Sequence, residues 1–314
     1  MDIFDKRNIK PMLIAEEQKP FNDINYVYEL KLDGIRCIAY LDKFGTELHN
    51  KRNLKISNRY PELNNIHEQI NKRCILDGEL IVFAEGRPDF SEIQRRSLMT
   101  NKVRIELSAK KYPVTFVAYD ILYYDNKQIT DLPLLERKKL LEENINENDR
   151  ISISRYIEEN GIVLYELTVQ QDLEGIVAKK KDSKYYFGKN TKDWIKIKNL
   201  KDDDFVVCGY IEKSEGIVSI VLGQYDKNNM LVYKGHVTMG INKSDFQTII
   251  NTPKINVPEF VIPKGNERAI WLEPINVCAV RFMEKTSSGS LRQPVFKGLR
   301  VDKTPRECID DVGL

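Results

Sequence analysis

The sequence has few of the residues that build zinc sites and disulfide frameworks. Its five cysteines (Cys37, Cys74, Cys208, Cys278 and Cys308) are scattered, odd in number and show no C-x-x-C spacing. The three histidines also lack the spacing of metal ligands. These absences argue against zinc and against a disulfide scaffold, and we expect buried, reduced thiols of the kind found in the cytosol.

Long apolar runs and low-complexity segments are missing as well. No apolar stretch approaches the length that spans a bilayer, and the first residues lack a signal-peptide pattern. We therefore expect a cytoplasmic protein. The 314 residues, of which 41% are hydrophobic and 31% charged, provide material for two globular cores.

Charge of one sign is not in excess overall, since the formal net charge is +2, but its distribution is uneven. Residues 279–306 hold seven basic side chains and two acidic ones. The basic residues are Arg281, Lys285, Arg292, Lys297, Arg300, Lys303 and Arg306. A local excess of this kind suits a phosphate backbone or a triphosphate, although a solvated basic surface is the commoner outcome.

One stretch near the N-terminus combines residues with catalytic potential. Lys31 ends an apolar, β-prone run, and Asp33, Gly34 and Arg36 follow at once. A lysine becomes a nucleophile when burial or nearby cations lower its pKa. Gly34 would let the backbone approach a phosphate, and the planar guanidinium of Arg36 could clamp an anion. Taken alone, the stretch fits an exposed turn equally well.

Partner segments follow in a defined order. They are Lys51-Arg52-Asn53, Asp77-Gly78-Glu79, Tyr119-Asp120-Ile121-Leu122-Tyr123, Glu174-Gly175-Ile176-Val177-Ala178-Lys179 and Trp194-Ile195-Lys196-Ile197-Lys198. Together with Lys31-Leu32-Asp33-Gly34-Ile35-Arg36, they resemble the motifs of the covalent nucleotidyltransferases, and in particular those of ATP-dependent DNA ligases. The tail Leu291-Arg292-Gln293-Pro294-Val295-Phe296-Lys297-Gly298-Leu299-Arg300 resembles the C-terminal motif of the bacterial end-joining type.

The resemblance implies an α+β protein of two domains. Residues 1–200 would form a nucleotidyltransferase (adenylation) domain of antiparallel sheets with helices, and residues 201–314 a small OB-fold β-barrel. The acidic step Lys201-Asp202-Asp203-Asp204 marks the expected boundary. The barrel would swing about this joint between the first reaction step and the later ones.

Local patterns predict the elements that carry the motifs. A first strand pair is expected over residues 26–31 and 35–41, joined by a turn at Asp33-Gly34. Helices are expected over residues 59–71, 89–99, 134–144 and 159–170. In the second half we expect strands over residues 205–211, 217–225, 230–237 and 269–282.

The activity implied by the resemblance is the ATP-dependent sealing of 5′-phosphate/3′-hydroxyl breaks in duplex DNA during DNA repair. It proceeds through a lysyl-AMP on Lys31 and a DNA-adenylate. Within the superfamily, an RNA ligase or a GTP-using capping enzyme is the alternative. A non-catalytic DNA-end-binding module is the alternative from a different class.

The resemblance also implies roles for single residues. Glu29 would read the adenine amino group, Tyr119 would stack on the base, and Arg52 and Glu79 would contact ribose and phosphate beside Arg36. A further set would act on the phosphates and the metal. In it, Lys179, Lys196 and Lys198 contact the α-phosphate, Glu79 and Glu174 face Mg²⁺ (or Mn²⁺ in its place), and Arg292, with Arg300, Asp302 and Lys303, orients the departing pyrophosphate.

The implied partners are nicked or broken duplex DNA, together with Ku or other end-joining proteins, and no membrane. The protein would be a nucleoid-associated monomer. Dependence on Ku can be tested by comparing sealing with and without it.

Overall fold

The computed structural model of the chain describes residues 2–84, 87–213, 216–286 and 289–310. The chain divides into two compact units between Asn199 and Leu200. All five cysteines are buried free thiols, as expected for a chain without disulfides. Within the described ranges, no helix has the length and apolar content needed to cross a bilayer.

The first unit contains two β-sheets and several α-helices. Its helices are α1 (Ile3–Lys6), α2 (Phe90–Ser97), α3 (Lys102–Lys111), α4 (Leu134–Asn144) and α5 (Gly161–Gln170). Its strands are β1 (Leu13–Glu17), β2 (Tyr26–Leu30), β3 (Ile35–Asp42), β4 (Gly45–Asn50), β5 (Cys74–Ala84), β6 (Arg87–Pro88), β7 (Val114–Tyr124), β8 (Lys127–Gln128), β9 (Ile151–Ile153), β10 (Tyr156–Glu158), β11 (Gly175–Lys180) and β12 (Asn190–Lys198).

The order of the strands defines the two sheets. Sheet A runs β1-β12-β11-β2-β10, and sheet B runs β4-β3-β5-β7-β8, with β6 and β9 added at β5 and β7. Most neighbours are antiparallel; β1 pairs with β12, and β7 with β9, in parallel. Side chains from both sheets, among them Val27, Ile38, Ile75, Leu122 and Trp194, form one buried apolar cluster. This cluster is the layer between the sheets.

The second unit is a small barrel. Its strands are β13 (Lys201–Glu212), β14 (Val218–Tyr225), β15 (Leu231–Val237), β16 (Ile270–Trp271), β17 (Val277–Phe282) and β18 (Val295–Leu299), and α6 (Lys243–Ile250) lies between β15 and β16. The sheet order is β15-β14-β13-β17-β18. A bridge between Met239 and Val295, with Phe296 donating its N–H to the Met239 carbonyl at 2.8 Å, closes the sheet on itself. The expected fold class, an α+β domain followed by an OB-like barrel, is confirmed.

The predicted hairpin of residues 26–31 and 35–41 is wrong. Both strands form, but β2 belongs to sheet A and β3 to sheet B. Residues 31–34 therefore connect the two sheets. Each strand finds better partners elsewhere, since β2 pairs with β11 and β10 while β3 pairs with β4 and β5.

The predicted helix of residues 59–71 is also wrong. The segment forms short 3₁₀ turns at Ser57–Arg59, Pro61–Leu63 and Ile66–Gln69. Pro61 and the adjacent asparagines at 64 and 65 favour turns over a continuous helix. Leu63 and Ile66 still reach the core on the outer face of sheet B, so the apolar spacing reflects burial and not helix length.

Three further differences concern the second half and the helices. The strand expected over residues 269–282 is two strands, because Pro274 lacks the N–H that a ladder requires. Helices α3 and α6 were not expected, although Asn101 and Asn242 cap their N-termini. The acidic step is no linker, since Lys201–Asp204 pairs with residues 279–282 as the first part of β13.

Asp202, Asp203 and Asp204 neutralise much of the basic tail. Arg281 pairs with Asp202 at 2.7 Å, Lys285 with Asp203 at 3.5 Å, and Lys303 with Asp204 at 2.7 Å. Arg300 also contacts Asp204 at 3.2 Å. Part of the basic excess is therefore paired with carboxylates within the barrel. The expectation that all of these basic residues form an open phosphate-binding surface is corrected accordingly.

Gly34 gives a test of the sheet crossing. A Cβ at this position would lie 2.3 Å from the Leu80 carbonyl oxygen and 2.8 Å from Glu79 Cγ. We expect Gly34→Ala to lower the free energy of unfolding by about 1–3 kcal/mol, because backbone must move to admit the methyl group. Urea denaturation measures this. Lys43→Ala, in an exposed turn, is the control, and equal stability of the two variants would contradict the tight crossing.

Candidate active site

One face of sheet A carries a row of charged residues. Directly opposite residues on paired strands share a face, so Glu29, Val177 and Lys196 point the same way. By the same register, Lys179 lies beside Trp194, and Gly175 beside Lys198. The other face, with Tyr28, Ile176 and Ile197, is apolar and packs against α5. Alternation along three strands thus separates a core face from a polar face.

Sheet B presents a second set of polar side chains to this face. Arg36 on β3 lies opposite Glu79 on β5, and Asp77 lies two residues before Glu79 on the same strand. A bulge in β7 places Ala118 opposite Gly78 and Asp120 opposite Asp77, which leaves Tyr119 as the extra residue. The Tyr119 ring contacts Trp194 of sheet A with centroids 6.2 Å apart. The bulge therefore turns an aromatic ring into the space between the sheets.

Lys31 meets Glu174 at the start of β11. Lys31 Nζ lies 2.5 Å from Glu174 Oε1, and their side chains are 21% and 6% exposed. The Lys31 N–H donates to the Gly175 carbonyl at 2.8 Å, which fixes the backbone of one segment to the other. Gly175 has φ +126°, and a Cβ there would lie 2.2 Å from the Ile197 carbonyl. Only glycine permits this close approach.

Arg36 is held by a buried carboxylate. Its Nε and Nη2 donate to the two Asp77 oxygens at 3.0 and 2.6 Å, a bidentate geometry with strong orientation. The Tyr185 hydroxyl donates to Asp77 at 2.6 Å and accepts from the Met12 N–H at 3.0 Å. The guanidinium also lies 5.5 Å from the Tyr119 ring centroid. Arg36 is thus positioned from three sides.

The Glu79 carboxyl has a strongly perturbed pKa. Burial raises this pKa, Arg36 and Lys31 oppose the rise, and the nearby Asp77 and Glu174 add to it, so that the pKa lies at about 8. Carboxylates crowded in this way repel one another until a cation or a proton intervenes. Glu79 is accordingly the acid of the site that is most sensitive to a bound cation.

Glu29 is buried among cations. Its Oε1 lies 2.6 Å from Lys138 Nζ and 2.9 Å from Lys179 Nζ, and its Oε2 accepts from the Ser154 hydroxyl at 2.7 Å. Burial would raise the pKa of this carboxyl, but the two lysines outweigh it and the pKa lies below its ordinary value. Burial lowers the pKa of Lys179 to about 8, although Glu29 opposes the shift.

Lys179 occupies a different environment from the one that the sequence suggested. Its Nζ lies 4.5 Å from the Tyr119 ring centroid and 4.2 Å from that of Trp194. The structure thus groups Lys179 with Glu29 and the aromatic rings, and not with Lys196 and Lys198. Lys198 contacts Glu17 of β1 at 3.1 Å. Burial, and then proximity to Lys198, lowers the pKa of Lys196.

Two predicted site residues lie outside this cluster. Arg52 is exposed in the turn after β4, where its N–H donates to the Asn50 side chain at 3.0 Å. Arg292 belongs to the second unit, where its guanidinium contacts Glu284 at 2.9 Å. The remaining predicted residues gather between sheets A and B; they are Lys31, Lys196, Lys198, Glu29, Arg36, Glu79, Tyr119, Lys179 and Glu174.

Sequence reasoning missed the residues that support the cluster. Asp77, Tyr185, Arg137 and Lys138 all hold others in place, and Arg137 pairs with buried Asp120 at 2.8 Å. A signal for two of them was present in α4. Its buried residues are at positions 134, 137, 138, 141 and 144, so an arginine and a lysine occupy places where an amphipathic helix normally carries apolar residues. Charges at such positions indicate buried ion pairs.

The residues present fit a nucleotide and a divalent cation. Among the described residues, no three His, Cys, Asp or Glu side chains form a ready-made metal cluster. Mg²⁺ commonly binds one or two carboxylates and takes its remaining ligands from phosphates and water. Glu79, with its raised pKa, and Glu174 are suitable carboxylates. Tyr119 and Val177, on facing sheets, leave an aromatic and an aliphatic surface for a base.

The structure pairs Lys31 with Glu174 beside a clamped Arg36, between two sheets, and a small barrel follows in the chain. This arrangement fits a nucleotidyltransferase. Residues 11–198 match the model of a family described as ATP dependent DNA ligase domain, and residues 213–303 match ATP dependent DNA ligase C terminal region. The chain belongs to the ATP-dependent DNA ligase family, which confirms the resemblance found in its motifs.

Individual relatives support the same assignment. The chain is 31% identical over 296 residues to the SPbeta prophage-derived DNA ligase-like protein LigB of Bacillus subtilis, covering 93% of this chain and 99% of that protein. It is 28% identical over 315 residues to the multifunctional non-homologous end joining protein LigD of Mycolicibacterium smegmatis, covering 95% of this chain but 39% of that protein. This chain thus spans well under half of the second relative.

A solved structure shares the fold. The chain superimposes on mycobacterial DNA ligase D complexed with ATP and MES with a TM-score of 0.57 at 23% identity, covering 99% of this chain and all of that one. The similarity extends over both units, so the expected combination of a nucleotidyltransferase unit and a C-terminal barrel is confirmed at the level of the fold.

Glu79 gives a test of the electrostatics. Its folded pKa of about 8 exceeds the ordinary 4.5, so the folded state binds the proton more tightly and becomes less stable as the pH rises between these values. Glu79→Gln cannot titrate. We expect the variant to gain stability relative to the wild type from about pH 5 to about pH 8, with no further gain above. Thermal melts across this range measure the difference.

The control for this experiment is Glu68→Gln, which removes an exposed carboxyl of the same unit. Its melting temperature should follow the wild type at every pH. If Glu79→Gln did the same, the carboxyl would have an ordinary pKa and the crowding of acids would not govern the site.

Proposed function

We propose that this protein is an ATP-dependent DNA ligase that seals 5′-phosphate/3′-hydroxyl breaks in duplex DNA during repair. The reaction would pass through a lysyl-AMP on Lys31 and a DNA-adenylate. The observation that carries the proposal is the contact between Lys31 and Glu174, 2.5 Å long, with Glu79 close enough to both to feel their charges and Lys196 close enough to feel that of Lys31. A nucleophile, its carboxylate partner and the phosphate-binding cations thus meet in one place.

In the first step, Lys31 Nζ attacks the α-phosphorus of ATP. A nitrogen–phosphorus bond forms, the bond to the β-phosphate oxygen breaks, and pyrophosphate leaves. Only the neutral amine can attack, so the ammonium must first lose a proton, for which Glu174 is the nearest acceptor. Lys196, Lys198 and Arg36 would neutralise charge on the phosphate oxygens, which is the main requirement of phosphoryl transfer.

The later steps use the same pocket. The AMP passes from Lys31 to a DNA 5′-phosphate, and the 3′-hydroxyl then attacks that phosphate and expels AMP. Glu79 and Glu174 would hold Mg²⁺, which supplies Lewis-acid stabilisation of the phosphate oxygens when bound. Mn²⁺ carries the same charge and accepts the same oxygen ligands. Arg292 of the barrel is proposed to act on the pyrophosphate of the first step.

The first experiment is covalent labelling with α-labelled ATP or GTP and magnesium. We expect label from ATP on the wild type and none on Lys31→Ala, because the amine that would carry the AMP is missing. Arg292→Ala should label more slowly, with Arg281→Ala, an exposed arginine of the same unit, as its matched control.

Each outcome of the labelling has a distinct meaning. Label from GTP would move the protein to the capping class, and sealing of nicked RNA in preference to DNA would make it an RNA ligase. An absence of label from either nucleotide, after a check by mass spectrometry for AMP already attached, would support a non-catalytic DNA-end-binding module instead.

We further propose that the DNA substrate is a nick or a broken end in the nucleoid, that the protein acts as a monomer, and that Ku assists it. The relative from Mycolicibacterium smegmatis is named for non-homologous end joining, which supports this role. Sealing of linear duplex should rise when Ku is added, because Ku would bring the ends to the ligase. Equal sealing of nicks and ends with and without Ku would refute the dependence. Light scattering during turnover measures the oligomeric state.

A further inference from the structure

Lys138 places a charged group in the interior of the first unit. Its side chain is 1% exposed, and its Nζ lies 2.6 Å from Glu29 Oε1 and 5.6 Å from the centroid of Tyr156. Burying an ammonium costs several kcal/mol unless a partner compensates for the lost water. The compensation comes from a single carboxylate, which places Lys138 and Glu29 in one interaction.

The helix presents Lys138 to this carboxylate by its periodicity. Leu134, Lys138 and Leu141 lie on one stripe of α4, and the two leucines enter the cores on either side. The next residue, Lys139, lies on the opposite surface, where it is 77% exposed and contacts Glu143 at 3.9 Å. Two adjacent lysines therefore have opposite environments, and only one of them reaches the site.

The surroundings of Glu29 leave one acceptor direction open. An ionised carboxylate offers about four lone-pair positions. The Ser154 hydroxyl donates to Oε2, and the Lys138 and Lys179 ammonium groups lie within ion-pair distance of Oε1, which leaves at least one lone-pair position without a hydrogen-bond donor among the described residues. The charged and titratable groups facing Glu29 are thus Lys138 from α4, Lys179 from β11 and Tyr156, opposite it on β10. The remaining position can accept the hydrogen of an amino group.

We propose that Lys138 is a positioning residue for nucleotide selection: it holds the Glu29 carboxylate ionised and oriented so that it accepts from an adenine amino group and rejects the 6-oxygen of guanine. This inference rests on the proposed function, in which Glu29 reads the base. Lys138 itself contacts only the carboxylate and acts on the nucleotide through it. Ser154 supports the second oxygen in the same way.

The two lysines differ in how they support the carboxylate. Lys179 lies among Tyr119 and Trp194 and has a pKa lowered to about 8, so it loses its proton within the range in which enzymes are assayed. Lys138 is the second cation on the same oxygen. Without it, Glu29 would depend on Lys179 alone, and its own pKa would rise. As the pH is lowered, Glu29 would then take up a proton at a higher pH than in the intact site. Adenine selection would fail at that same higher pH.

The test measures nucleotide binding without the covalent step. In a Lys31→Ala background, the dissociation constants of ATP and GTP are measured by calorimetry for Lys138→Met, Lys138→Arg and Lys139→Met. We expect Lys138→Met to weaken ATP binding about tenfold or more, which is the usual effect of losing a charged hydrogen-bond partner, with little change for GTP. Lys138→Arg should retain most of the preference, and Lys139→Met all of it.

The pH dependence separates positioning from simple packing. In Lys138→Met, the fall of ATP affinity on acidification should begin at a higher pH than in the parent, because Glu29 accepts a proton more readily. Lys139→Met should keep the parental profile. A folded Lys138→Met protein with the parental ATP-to-GTP ratio and pH profile would overturn the proposal, even if its melting temperature were lower.

Two outcomes need separate treatment. If Lys138→Met does not fold, Ser154→Ala replaces it, because that change removes one hydrogen bond to Glu29 without leaving a buried charge unpaired. It should lower the ATP-to-GTP ratio by a few-fold, and an unchanged ratio would count against the proposal. If the Lys31→Ala parent binds neither nucleotide, the proposed function fails and this inference fails with it.

Discussion

The four residues between Leu30 and Ile35 constrain the whole first unit. They carry the chain from sheet A to sheet B, with Lys31 tied to the Gly175 carbonyl at 2.8 Å and Gly34 against the backbone at Leu80. Because the two sheets approach closely at this crossing, the polar side chains of sheet A face those of sheet B. Lys31, which is the proposed nucleophile, Glu174 and the clamped Arg36 are therefore brought together by the crossing itself, and positional catalysis depends on such rigidity.

Around this crossing the site has two ends with different chemistry. At one end, Lys31, Glu174 and Glu79 surround the position where phosphates and a divalent cation would sit. At the other end, Glu29 is enclosed by lysines and lies near Tyr119, where a base would sit. At the phosphate end, Glu79 with its raised pKa is the acid that a divalent cation would neutralise.

The motifs predicted nine residues that the structure brings together between sheets A and B, but not how those residues are held. Helix α4 and the strands β2 and β3 could be predicted because local sequence patterns were sufficient to indicate them. The pairing of β2 with β11 could not, since partner choice depends on contacts across more than a hundred residues. The sequence predicts that Lys179 contacts the α-phosphate. Alternation along β11 alone does not reveal that Glu29 of the paired strand β2 lies beside Lys179. Asp77, Tyr185 and Lys138 were missed because each acts through another side chain.

The pairing of the acidic step with the basic tail changes how the barrel can use its charge. Arg281, Lys303 and Arg300 already contact Asp202 and Asp204. An incoming phosphate must therefore displace a carboxylate of the protein itself. Each such carboxylate offsets part of the positive charge of its basic partner. A nucleic acid bound here would therefore release fewer counterions than it would on binding the same number of unpaired basic residues. Binding of a phosphate backbone through this surface would therefore work by exchange of partners. It should depend less steeply on salt than the number of basic residues suggests.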